Sequence, residues 1–122
     1  MLSTCFFASV EYTNVGGTPA NIQEIKGTIF QSDDLENSDP PLRLITANHI
    51  VLGSGMKDVF DCYPPPVDPL KMSGNPRWLV GTITYTDGVG NRREMGFARV
   101  LVNMPKRHWA VVNHKSQHDY AY

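Results

Sequence analysis

The run from residue 78 to 103 constrains the fold more than any other part of the chain. Residues 78–86 are dense in aromatic and β-branched side chains, and Leu79, Gly81, Ile83 and Tyr85 share one parity. That alternation is the mark of a strand. Asp87-Gly88-Val89-Gly90-Asn91 then has the composition of a hairpin loop. Residues 92–103 return as its antiparallel partner. A chain built around such a pair belongs to an all-β class.

The rest of the chain is punctuated in the same way. Phe6, Ala8, Val10 and Tyr12 alternate with Ser9, Glu11 and Thr13, which predicts a half-buried strand over 6–14. Residues 14–19 break it with two glycines and Pro19, which fixes its own φ and holds Thr18 extended. A second strand is predicted over 20–31. Ala20 and Ile22 have one parity there, and Ile25, Gly27 and Ile29 the other, so a β-bulge is expected near Gln23-Glu24. The polar stretch 32–41 reads as a surface loop. Residues 42–52 supply one or two short strands, 53–55 a turn, and 56–63 another strand with Phe60 and Cys62 on one face. Five prolines between 63 and 76 exclude a central strand and predict a partly polyproline connection. A last short strand is expected within 108–114, and the tail is expected to fray from about residue 115.

About seven or eight short strands with no strong amphipathic helix point to an antiparallel immunoglobulin-like β-sandwich. One domain, 1–122, fits the length. The expected centre is the strands over 6–14, 20–31, 78–86 and 94–103.

Two patches add a resemblance. Asn14-Val15-Gly16-Gly17-Thr18-Pro19-Ala20 fits Asn-x-Gly-x-Thr-Pro-Ala after a first strand. Residues 81–93 fit Gly-x-Ile-x-Tyr-x-Asp-x-x-Gly-x-x-Arg. Together they resemble the immunoglobulin-like extracytoplasmic β-domain of small uncharacterised bacterial membrane-anchored proteins. The resemblance implies a place on the outer side of a bacterial membrane; without it the expectation is cytoplasmic. No signal peptide or transmembrane helix is read here, so a membrane would be reached only through a segment absent from this chain. The physics of both motifs is structural. Asn14 can bond its own downstream backbone, Gly16 turns the chain, and Pro19 keeps the next segment extended. Gly81 lets a ring or backbone approach, while Asp87 and Gly90 shape the hairpin turn.

Chemistry-bearing groups are scattered. Eleven basic and twelve acidic residues give a net charge of −1, which argues against a nucleic-acid partner. His114 and His118 have the i, i+4 spacing of a zinc or copper pair on a helix. They lie with His108 near the C-terminus, where the surroundings read as a polar tail, and His49 is isolated at the edge of a strand. Asp33, Asp34, Glu36 and Asp39 form an acidic loop without the order of a calcium-binding hand. No nucleophile elbow or phosphate loop is present. Cys5 and Cys62 read as two separate buried thiols, with a disulfide between them left open for an oxidising compartment. Pro64, Pro65, Pro66 and Pro69 make a stretch that an aromatic groove of a partner protein could bind. The expected function is therefore a non-catalytic binding or structural module, with no cofactor, meeting a protein through loops or an edge strand. The alternative is a small metal-binding or hydrolytic domain using the C-terminal histidines. Oligomeric state is left open.

Overall fold

The computed structural model describes residues 8–47, 49–63, 76–102, 108–112, 118 and 120–121. Among the described residues nine strands run in chain order: β1 Ala8–Thr13, β2 Ala20–Gln31, β3 Arg43–Thr46, β4 Ile50–Leu52, β5 Lys57–Cys62, β6 Arg77–Thr86, β7 Arg92–Val102, β8 His108–Val111 and β9 Tyr120–Ala121. All observed pairings are antiparallel. The fold is all-β, as the alternation in the sequence predicts.

The strands form two sheets. β1 and β5 make a two-stranded ribbon. The other sheet has seven strands in the order β3-β2-β6-β7-β8, with β4 also on β2 and β9 also on β7. In the immunoglobulin constant arrangement seven strands divide four against three; here the nine described strands divide two against seven.

The ribbon packs on one face of the large sheet. Ala8, Phe60 and Cys62 from the ribbon meet Ile22, Ile25, Ile29, Leu79, Ile83 and Phe97 from the sheet in one apolar cluster. An aromatic line crosses the gap. Tyr12 and Phe60 have ring centroids 5.7 Å apart, and Phe60 and Phe97 6.0 Å, both tilted. Tilted pairs at this spacing place ring edges against ring faces, which adds to the area they bury.

The opposite face of the large sheet is covered differently. Leu35, Trp78, Val80, Ala98 and Val112 form a second cluster. Leu35 sits in the loop read from sequence as polar surface, yet it is only 2% exposed. Asp34 shapes that loop by accepting bonds from the backbone N–H of Glu36 at 3.2 Å and Asn37 at 3.3 Å. The Trp78 indole N–H donates to the Ser32 carbonyl at 2.9 Å, pinning the loop to the sheet.

The expected bulge is present. Ile22 pairs with Tyr85 and Glu24 with Thr84, leaving Gln23 as the extra residue. Its carboxamide N–H donates to the Thr86 hydroxyl. The tail departs from expectation: instead of fraying throughout from about residue 115, Tyr120 pairs with Gly96 and Ala121 with Met95. The outer edge of β7 offers unmet backbone groups beyond the end of β8, and a short strand there satisfies them.

Candidate functional site

The two sequence motifs, separated by some sixty residues in the chain, meet at one end of the sandwich. β2 runs beside both β4 and β6, so Asn21 stands next to Val51 on one side and Thr86 on the other. This register brings the turn after β1 against the β6–β7 hairpin. The approach is close: a Cβ built on Gly88 would stand 2.5 Å from the Thr18 hydroxyl oxygen.

Asn14 organises the first motif. Its Nδ2 donates to the carbonyls of Thr18 at 2.8 Å and Leu52 at 2.9 Å, and its Oδ1 accepts from the Gly16 N–H at 2.9 Å. Its backbone N–H donates to the Met56 carbonyl at 2.9 Å, and its own carbonyl accepts from Gly55 at 2.8 Å. One side chain therefore closes its own turn and ties it to the turn before β5. Pro19 follows, and Ala20 enters β2 buried.

Asp87 plays the matching part in the second motif. Oδ1 accepts from the N–H groups of Asn91 at 2.8 Å and Val89 at 3.1 Å, and Oδ2 accepts from Arg93 Nε at 3.1 Å. The Asn91 amide, followed by the Arg93 side chain and the Val89 amide, holds the Asp87 carboxyl below the usual range despite some desolvation. Gly90 has a φ of +89°, and its N–H donates to the Asp87 carbonyl. This is a turn followed by a left-handed residue, which glycine occupies without steric cost. Gly81, paired with Phe97, lies under that ring: an added Cβ would stand 2.3 Å from Phe97 Cζ and 2.7 Å from the Lys26 carbonyl oxygen. The close approach read from sequence at Gly81 is thus a cross-strand aromatic contact.

Between these motifs and the ribbon lies a cleft of about 740 Å³. Its floor is the ribbon-facing side of β6, β7 and β8, with Leu79, Ile83, Met95, Phe97 and Trp109. Its end is built by Asn14, Gly16, Thr18, Pro19 and Asp87. Its wall is β1, from which every residue between Ser9 and Asn14 lines the space. Successive side chains of a strand point to opposite faces. A cleft touched by all of them therefore runs along the strand's edge and not over one face. Among the described residues β1 has β5 as its strand neighbour on the other side. Arg99, a half-buried residue, also lines the cleft, and its Nη1 donates to the Ala98 carbonyl at 2.7 Å.

The remaining reactive groups are removed from this space or engaged elsewhere. Cys62 is a buried free thiol, pushed up to about 12 by desolvation and then by the Asp61 charge. A thiol so protonated is a poor nucleophile. Tyr12 is likewise raised to about 12, by burial first and then by its hydrogen bond to and the charge of Asp58. His118 lies half-buried in the Leu35 cluster's neighbourhood, where its Nε2 donates to the Leu35 carbonyl at 3.3 Å. His49 is exposed just before β4, and His108 is exposed as the first residue of β8. Among the described residues no three His, Cys, Asp or Glu side chains gather where they could hold a metal ion. His114, Cys5, Pro64, Pro65, Pro66 and Pro69 lie outside the described residues.

Sequence reasoning singled out the residues at the cleft's end only as structural turn-makers, without finding the cleft. Asn14, Gly16, Pro19 and Asp87 all line the cleft, and Gly90 shapes the hairpin at its end. Met95, Phe97, Arg99 and Trp109 were missed. Their parity on β7 and β8 was readable, but which face β1 would cover was not. Compared with protein-family models, curated proteins and solved structures, the chain matches none.

Proposed function

We propose that this chain is a non-catalytic binding module, and that the cleft beside β1 is its binding site. The observation that carries the reading is the cleft itself: about 740 Å³ of space with an apolar floor and a strand edge for a wall. Specific sites combine such an apolar lining with a few fixed polar groups. The polar groups around this one support binding over catalysis. Asn14 spends its side chain on backbone groups of its own turn and of Leu52, and Asp87 on backbone amides and the Arg93 side chain of its own hairpin, which rigidifies the end of the cleft. Among the described residues, the side-chain partners of both are backbone groups and the Arg93 guanidinium.

The motif resemblance adds a location to the proposal: the domain would stand on the outer side of a bacterial membrane, carried by an anchor in another segment. Both motifs that support this location also build the end of the cleft, so fold and site would be shared across such a group.

The test is a small-fragment library screened by amide chemical shifts on the intact chain. Hits should move the amides of residues 9–14 together with those of Met95, Phe97 and Trp109. Fragments that bind only elsewhere, or a turnover of any ester or phosphoester in the same library, would remove the reading.

A further inference from the structure

The nature of the wall narrows what the cleft can hold. A strand edge presents alternating N–H and C=O groups, and half of β1's point away from β5. Only a second extended backbone meets such a row with its own alternating acceptors and donors. This is complementarity of partial charges along the whole strand, and the addition of a strand to a sheet edge is a general mode of peptide recognition. β1 itself displays the side-chain pattern that the space accepts. Ala8, Val10 and Tyr12 turn inward against the large sheet, and Ser9, Glu11 and Thr13 turn outward. A strand laid beside it would meet the same floor with alternate residues.

The full charge of Arg99, which lines the cleft, adds a direction. Cys62, opposite Ala8 in the ribbon, lies against Gly27, and Gly27 pairs with Gly81. Leu79, two residues from Gly81, pairs with Arg99. Arg99 therefore stands toward the Ala8 end of β1, while Asn14 and the hairpin close the other end. A strand antiparallel to β1 enters at the Asn14 end and finishes toward Arg99. A carboxylate in its last residues meets the guanidinium.

We infer that the cleft takes an extended peptide as an added antiparallel strand on β1, with apolar side chains at alternate positions and a carboxylate toward its C-terminal end. The inference rests on the cleft being a binding site. β1 has six residues, so the matching segment is about six residues, or roughly 20 Å at 3.3 Å per residue.

Three synthetic probes test it on the intact chain. The first is an acetylated hexapeptide amide that alternates valine and threonine and ends in glutamate. The second is the same peptide with alternate backbone nitrogens methylated. The third ends in lysine. The first probe should move the amides of residues 9–14 and slow hydrogen exchange at alternate residues of β1. Methylation should weaken binding at least tenfold, because it removes donors while keeping the apolar side chains. The lysine ending should weaken it several-fold, and Arg99→Gln should erase the difference between glutamate and lysine. Equal binding of the plain and methylated peptides would overturn strand addition and leave apolar binding in the cleft standing. Equal binding of the glutamate and lysine peptides would overturn the assigned polarity. If small fragments occupy the cleft and no hexapeptide does, the peptide inference fails alone; if neither binds, both fail.

Discussion

The large sheet covers its two faces by different means. On one face lies a ribbon of two regular strands, joined to the sheet by the Tyr12–Phe60–Phe97 line. On the other lies the loop after β2, which reaches in with Leu35 and is fastened by the Trp78 indole. The difference teaches what each device can close. A loop with one apolar anchor moulds itself over a small cluster and leaves it sealed. A ribbon is as wide as its strands, so a sheet with five strands abreast extends beyond two. The cleft runs where the ribbon's width ends.

The two coverings should fail to different degrees. Phe60→Ala removes the ring between Tyr12 and Phe97 and should cost about 3–5 kcal/mol, read as a shift in the denaturant midpoint. Leu35→Ala should cost less, about 2 kcal/mol at the low end for a buried leucine, because a loop can settle into the space. Its clearer signature is a red-shifted Trp78 emission. A Leu35 effect as large as that of Phe60 would break the contrast and make the loop a full part of the core. Asn14→Ala should cost about 1–2 kcal/mol, the scale of lost side-chain bonds to backbone groups that stay partly buried. Faster amide exchange at Gly16 would locate the damage at the cleft's end.

The smallest effect concerns pH. Tyr12 and Cys62 both hold their protons more tightly in the fold than in the open chain, to about 12 against 10.0 and 9.0. The native state is thus favoured by these groups below about pH 9. The advantage fades as pH rises through about 12, since the unfolded chain releases its protons first. Both groups sit on the ribbon. Alkali should therefore loosen β1 and β5 before the Leu35 cluster, which hydrogen exchange sampled across that window would show. Simultaneous loosening of both coverings would remove the distinction.

The local part of this fold was legible in the sequence. Parity placed β2 and β6, the change of parity marked the bulge, and residue chemistry gave the roles of Asn14, Gly81, Asp87 and Gly90. Each of these depends on neighbours within a few positions. What could not be read depends on distant partners. The pairing of Ala8 with Cys62 spans most of the chain before β6. Leu35 looks like one apolar residue in an acidic loop, and only the cluster under it explains its burial. The cleft was invisible for the same reason. It is a difference between the widths of two sheets, and no single segment carries that quantity.

The bulge in β2 has a consequence for how the length of this chain can vary. Ile22 and Glu24 already face consecutive residues of β6, Tyr85 and Thr84. The ladder there counts pairs and passes over Gln23. An in-frame loss of that one codon would leave every later pairing in place and bring Ile22 and Ile25 onto one regular alternation. The same loss within β6, at Ile83, would put every residue beyond it out of phase with both neighbours. Gln23 is thus a position where the gene can shorten without rewriting the sheet.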